Sequence, residues 1–174
     1  FVVEPKEEKA TNEIFQAQQY FQQAVDATEK NDSLYNLALK GGEGKLGFIG
    51  IAEQYSGTDA GNLANYHAGM AYLNLGDFKN ASENYLRSKE VAEKNSLKRE
   101  LLDALMAFAE LYKAMGKNDL ALVTMEEYAA LQEEYYAQLS ADHSSAVEVM
   151  ESVQQIEAEN DVHQREQDLL KLKQ

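Results

Sequence analysis

The chain has 174 residues, enough to bury the core of one domain, and 30 acidic against 16 basic residues leave a formal net charge of −14. Such a surface repels phosphate backbones and anionic lipid headgroups, which argues against a nucleic-acid partner. The absence of cysteine excludes a disulfide framework and thiol chemistry, and one proline among long Ala/Leu/Glu/Lys/Gln-rich stretches predicts an all-α protein.

Residues 1–10 read as a linker. Phe1-Val-Val turns abruptly to Glu4-Pro-Lys-Glu-Glu-Lys9. That pattern fits either the last step out of a membrane helix or an arbitrary boundary, and is too short to span a bilayer itself. Residues 11–57 are expected to form an N-terminal helical cap. Thr11 is a suitable N-cap for a helix carrying Ile14, Ala17, Phe21, Ala24 and Val25 on one face. A short apolar turn from Leu34 to Leu39 follows, then a flexible break at Gly41-Gly-Glu-Gly44. Phe48, Ile51, Ala52 and Tyr55 recur at i, i+3, i+4 and i+7, which predicts another short helix.

Residues 58–139 carry two related helix hairpins. Thr58-Asp59 starts the first helix, and Gly76-Asp77 ends it, with Gly76 suited to a left-handed C-terminal position. Gly69 is placed where two antiparallel helices must approach closely, with Tyr72 on the same face. In the second helix, Ala81 is the small residue at the crossing and Tyr85 packs one turn on. Aligning Gly116 with Gly76 gives a period of 40 residues, with Ala109, Tyr112 and Ala121 at the places of Gly69, Tyr72 and Ala81. Glu93 stands where a breaker would close the second helix, so that helix is expected to run from Phe78 to about Asn95. The next hairpin takes about Leu97 to Met115 and Asn118 to about Leu139.

Residues 140–174 are read as a C-terminal helix. Ser140-Ala-Asp-His-Ser-Ser145 is expected to break or kink the chain before a helix from Ala146 towards Lys173. Val149, Val153, Ile156 and Leu170 fall on a seam of four- and three-residue steps whose middle is polar: Asn160, His163 and Gln167. A solvent-exposed terminal helix is expected, with weak self-association through it as the alternative.

The run from Ala68 to Tyr85 resembles the tetratricopeptide repeat (TPR); the second hairpin follows it less cleanly, with Met125 at the place of Tyr85, Asn118 at that of Phe78 and a period of 40 against the standard 34. The resemblance implies an α-α superhelical array that holds proteins in a concave groove. Residues 1–85 are similar to membrane-anchored TPR proteins of Gram-negative envelopes, through Phe1-Val-Val-Glu-Pro, Asp32 to Gly41 and Tyr55 to Tyr66. That likeness implies a tether upstream of Phe1 and an extracytoplasmic, periplasmic location, although a cytoplasmic one also fits. Residues 86–174 are similar instead to TPR regions of bacterial sensor kinases and regulators, through Glu126 to Tyr135 and Gln155 to Lys171. Two subfamilies in one chain also fit a hybrid or engineered protein with no dedicated ligand.

Catalytic patterns are wanting. His67, His143 and His163 are scattered and form no metal-binding pair, and Gly44-Lys45 lacks the rest of a phosphate loop. Glu126-Glu127 and Glu133-Glu134 diverge around a helix and read as solvated surface. No enzyme activity, cofactor or metal is expected. In stacked hairpins the first helix of each lines the concave side. Its free face holds Leu63, Tyr66, Met70, Leu73 and Asn74 in the first hairpin, then Asp103, Met106, Glu110 and Lys113 in the second. The TPR likeness implies groove contacts at the same positions, with packing against the capping helices as the alternative, and the Lys/Arg clamp for acidic peptide carboxylates is missing. The expected partner is therefore a protein or peptide segment with apolar anchors and basic residues, held by an adaptor. The alternative is the input module of a signalling protein, whose terminal helix responds to ligand.

Overall fold

The computed structural model describes the backbone of residues 6–172 and the side chains of residues 6–160. The apolar start Phe1-Val-Val and Glu4-Pro5, on which the membrane-tether expectation rests, lie outside the described residues. Among the described residues every regular element is a helix: α1 (Lys6–Asp26), α2 (Asp32–Lys40), α3 (Phe48–Gln54), α4 (Asp59–Leu75), α5 (Phe78–Lys94), α6 (Lys98–Ala114) and α7 (Asn118–Leu172). None of them is long and apolar enough to cross a membrane. Residues up to Leu131 form one compact unit and those from Gln132 a second.

Two cores fill the first unit. The N-terminal core takes Ile14, Ala17 and Phe21 from α1, Tyr35 and Leu39 from α2, and Phe48 and Ile51 from α3. It closes on Ala60, Ala64, Ala68 and Ala71 of α4. Alanines at steps of three and four give α4 a smooth face that three other helices can approach closely. The second core lies among α4, α5 and α6, where Ala81, Tyr85, Ala107, Phe108 and Leu111 are buried. Tyr85 is fully enclosed and meets Phe108 edge-on, with ring centroids 5.8 Å apart. A β-carbon built on Gly69 would fall on the Tyr85 ring, so only glycine lets α4 and α5 meet there.

The hairpin turns repeat in atomic detail. After α4, the Gly76 amide donates to the Leu73 carbonyl (3.0 Å) and the Asp77 amide to the Tyr72 carbonyl (2.9 Å). After α6, Gly116 donates to Lys113 (3.0 Å) and Lys117 to Tyr112 (2.8 Å). Both glycines are left-handed, with φ of 78° and 71°, and both turns are Schellman motifs that satisfy the last helical carbonyls. Asp77 then caps α5: its carboxylate accepts from the Asn80 amide (3.1 Å) and the Asn80 side chain (2.6 Å). These bonds hold its carboxyl below the usual carboxylate range.

Several expectations are corrected. Thr11 is not a cap but lies inside α1, where its hydroxyl donates to the Glu7 carbonyl (2.9 Å). The helix starts earlier because an acidic first turn, Glu7-Glu8, suits the positive helix end. Val25 is exposed, whereas Ala10 completes the buried stripe. Leu34 to Leu39 is part of a true helix, capped by Asn31. Ser140 to Ser145 causes no break, since the Ser144 hydroxyl bonds back to the Ser140 carbonyl (3.1 Å) within α7. No glycine or proline occurs after Gly116 to interrupt that helix.

Candidate functional site

The site is built on the N-terminus of α4, which opens the first repeat hairpin. Its orphan amides are all taken up. Thr58 Oγ1 accepts from the Gly61 amide (2.9 Å), while its hydroxyl donates to the Tyr55 carbonyl (2.7 Å). The Asp59 and Ala60 amides donate to the Glu7 carboxylate of α1 at 2.7 and 2.9 Å, fifty-two and fifty-three residues away in sequence. Lys6 Nζ adds a bond to the Ser56 carbonyl (3.1 Å). A charged acceptor on the positive end of a helix dipole thus anchors α1 beside α4.

This pairing walls a cavity of about 530 Å³. Ile14 and Phe15 of α1, Leu63 and Tyr66 of α4, and Leu97 before α6 give it apolar sides. Phe15 is an aromatic left 61 % exposed, and Leu63 is 39 % exposed. Asp59, Glu100 and Asp103 bring negative charge to the lining, with Arg99 as the cation among them. Asn62 also lines the cavity; its carboxamide oxygen is buried and has no partner among the described residues.

The electrostatics follow from the acidic lining. Tyr66 is pushed up to about 12, first by burial and then by Asp103 and Glu110, so its hydroxyl stays protonated and can donate. The Asp103 carboxyl is also raised, by the protein packed around it, with Arg99 opposing and Glu100 adding. A cation brought to this edge would favour the charged carboxylate and be held by it.

Of the positions expected to line a groove, the structure brings Leu63, Tyr66 and Asp103 to the cavity. Met70 and Leu73 do not line the cavity and pack, half-buried, against the cores, as Tyr66 also does. Asn74 is exposed and donates to the Met70 carbonyl of its own helix (2.9 Å). Met106 is half-buried and Glu110 and Lys113 are exposed on α6, away from the cavity lining. Sequence reasoning missed Phe15, Asn62, Leu97, Arg99 and Glu100, and also Ser88 of α5, which completes the lining. Phe15 left a trace: it is a large aromatic out of phase with the buried stripe of α1.

His67 faces the other way, into the N-terminal core. Its ring stacks on Phe48 at 5.2 Å and lies 5.4 Å from Phe21. Its Nδ1 is buried without a partner among the described residues, and burial lowers its pKa.

A family model described as the tetratricopeptide repeat matches residues 64–95, which are most of α4 and all of α5. No curated protein and no solved structure matches the chain significantly. With seven helices among the described residues, the fold is an all-α, TPR-like helical array. Repeats of this kind in general mediate protein–protein interactions and carry no catalytic chemistry of their own. The match does not bear on the envelope-protein likeness of residues 1–85 or the sensor-kinase likeness of residues 86–174.

Proposed function

We propose that the protein is a non-catalytic adaptor that seats an extended or amphipathic protein segment in the cavity between α1, α4 and α6. The segment would present an apolar side chain to Phe15, Leu63 and Tyr66, with a basic group alongside for Asp103 and Glu100. The observation that carries this reading is the combination of apolar walls and an acidic rim in one cavity.

The test is a peptide array that varies the apolar anchor and the number of lysines independently, read by fluorescence anisotropy. Binding should require both features and weaken with salt. Leu63→Ala with Tyr66→Ala should weaken it by at least about tenfold, or 1.4 kcal/mol. Asp103→Asn should reduce the salt dependence while leaving the preference for an apolar anchor. Affinity that survives the Leu63/Tyr66 double substitution would exclude this cavity as the seat.

A further inference from the structure

The second unit begins at Gln132 and is helical to Leu172. Helices in water owe most of their stability to packing of an apolar face. Here that face is uncovered: Val149, Val153 and Ile156 are 63 %, 48 % and 57 % exposed, and Leu139 and Met150 are exposed as well. Leu139, Ala146, Val149, Val153 and Ile156 recur at steps of seven, three, four and three, which keeps them on one side of the helix. Glu148 and Glu151 lie on the opposite side. Asp142 is the one acid on the seam between Leu139 and Ile156, and the apolar stretch from Ala146 to Ile156 is better suited to another helix than to water.

We propose that this seam pairs with the same seam of a second copy of the chain, antiparallel, with the two-fold axis at the level of Glu151. That alignment sets Val149 opposite Val153 and Ala146 opposite Ile156, so a small residue meets a large one and both layers are apolar. It also sets the Asp142 carboxylate opposite the Asn160 carboxamide, which can donate to it, and His143 beside Glu157. A parallel pairing would instead face Asp142 with Asp142 and Ala146 with Ala146, placing two like charges and a void in the seam. The antiparallel contact is isologous, the usual form of a soluble dimer. This inference is independent of the cavity: it concerns other residues and another partner.

The chain has no cysteine, so single thiols report the alignment directly. Ala146→Cys and Ile156→Cys full-length chains of different tag size are mixed and treated with a short bifunctional thiol reagent. The expected product is a mixed dimer, several-fold above either self-linked dimer. Sedimentation of the unlinked chain should show a reversible dimer that Val153→Glu abolishes. Val153 is exposed in the single copy and belongs to the second unit, so this change leaves the packing of the first unit and its cooperative unfolding intact. Asn160→Asp should weaken the dimer by about tenfold through the new charge facing Asp142, and adding Asp142→Asn should restore it. A chain that sediments as a monomer, or self-linking of Ile156→Cys that outruns the mixed product, would overturn the proposal.

Discussion

The two cores of the first unit solve the same packing problem differently. Among α4, α5 and α6 the structure hangs on one sharp contact, the Tyr85 ring seated on the bare backbone of Gly69. Among α1 to α4 the load is spread over Ile14, Phe21, Tyr35, Leu39, Phe48 and Ile51, with an imidazole stacked inside. A core fixed by one small–large pair tolerates nothing at that pair and is visible as fixed offsets in the chain. A core fixed by many contacts tolerates more at each and leaves less trace.

The most direct way to break the repeat core is Gly69→Ala. In an open helix that change stabilises by up to about 1 kcal/mol, because alanine is the better helix former. Here the added methyl meets the Tyr85 ring, and overpacking reverses the sign to a net loss of about 2 kcal/mol. Chemical denaturation of the single variant and of Gly69→Ala in a Tyr85→Leu background separates the terms. With the ring removed, the alanine should cost nothing or stabilise; an equal loss in both backgrounds would mean that the contact does not set the hairpin.

The join between the two regions is tested at Glu7. Replacing it with alanine strips the Asp59 and Ala60 amides of a charged acceptor and should cost about 1–2 kcal/mol. Amide exchange localises the effect: protection should fall at the start of α4 and along α1, while the Gly76 and Gly116 turns keep theirs. Loss spread evenly over all helices would instead assign Glu7 no local role.

The same contrast explains what could be read from the chain. Gly76, Gly116, Gly69, Ala81 and Tyr85 are local or periodic signals, and each does in space what its offset implies. α5 ends at Lys94, as the lack of a breaker at Glu93 suggested. What could not be read depends on partners far off in sequence. Nothing around Glu7 announces that it will cap a helix more than fifty residues on, and the packing of α1 on α4 that puts Phe15 and Leu63 on one cavity is equally long-range. Periodicity placed Leu63, Tyr66 and Asp103 on the cavity side. It left open whether Met70 and Leu73, on the same helix, would face a partner or pack, and in the structure they pack against the cores.

The spread core is sharpened by pH. Burial lowers the pKa of His67 from its ordinary 6.5, so the folded chain keeps a neutral imidazole where the unfolded chain takes up a proton. Between those two pKa values the unfolded state binds more protons, and stability therefore falls as pH drops below about 6.5. One such group limits the slope to about 1.4 kcal/mol per pH unit. His67→Phe keeps an aromatic beside Phe21 and Phe48 and removes both the titration and the orphan nitrogen. Melting temperatures of the two proteins should diverge from pH 7 to pH 5, with the variant the flatter; parallel curves would place the pH response elsewhere.

The smallest effect concerns the turn that leaves α5. It has the hydrogen bonds of the two glycine turns: Ser96 donates to the Glu93 carbonyl (3.2 Å) and Leu97 to the Ala92 carbonyl (2.8 Å). Its left-handed residue, however, is Ser96, with φ of 56°. A β-carbon in that region crowds the following carbonyl and costs about 1 kcal/mol, which Gly76 and Gly116 avoid. Ser96→Gly relieves this strain and also frees the unfolded chain, which offsets part of the gain. The expected balance is a stabilisation of about 0.5 kcal/mol, seen as a higher denaturation midpoint at unchanged slope. The same change in a Gly69→Ala background should add nearly in full, because the turn and the crossing share no atoms. A loss of stability on Ser96→Gly would show that the hydroxyl or its β-carbon holds this turn, and that it differs from the other two in more than its residue.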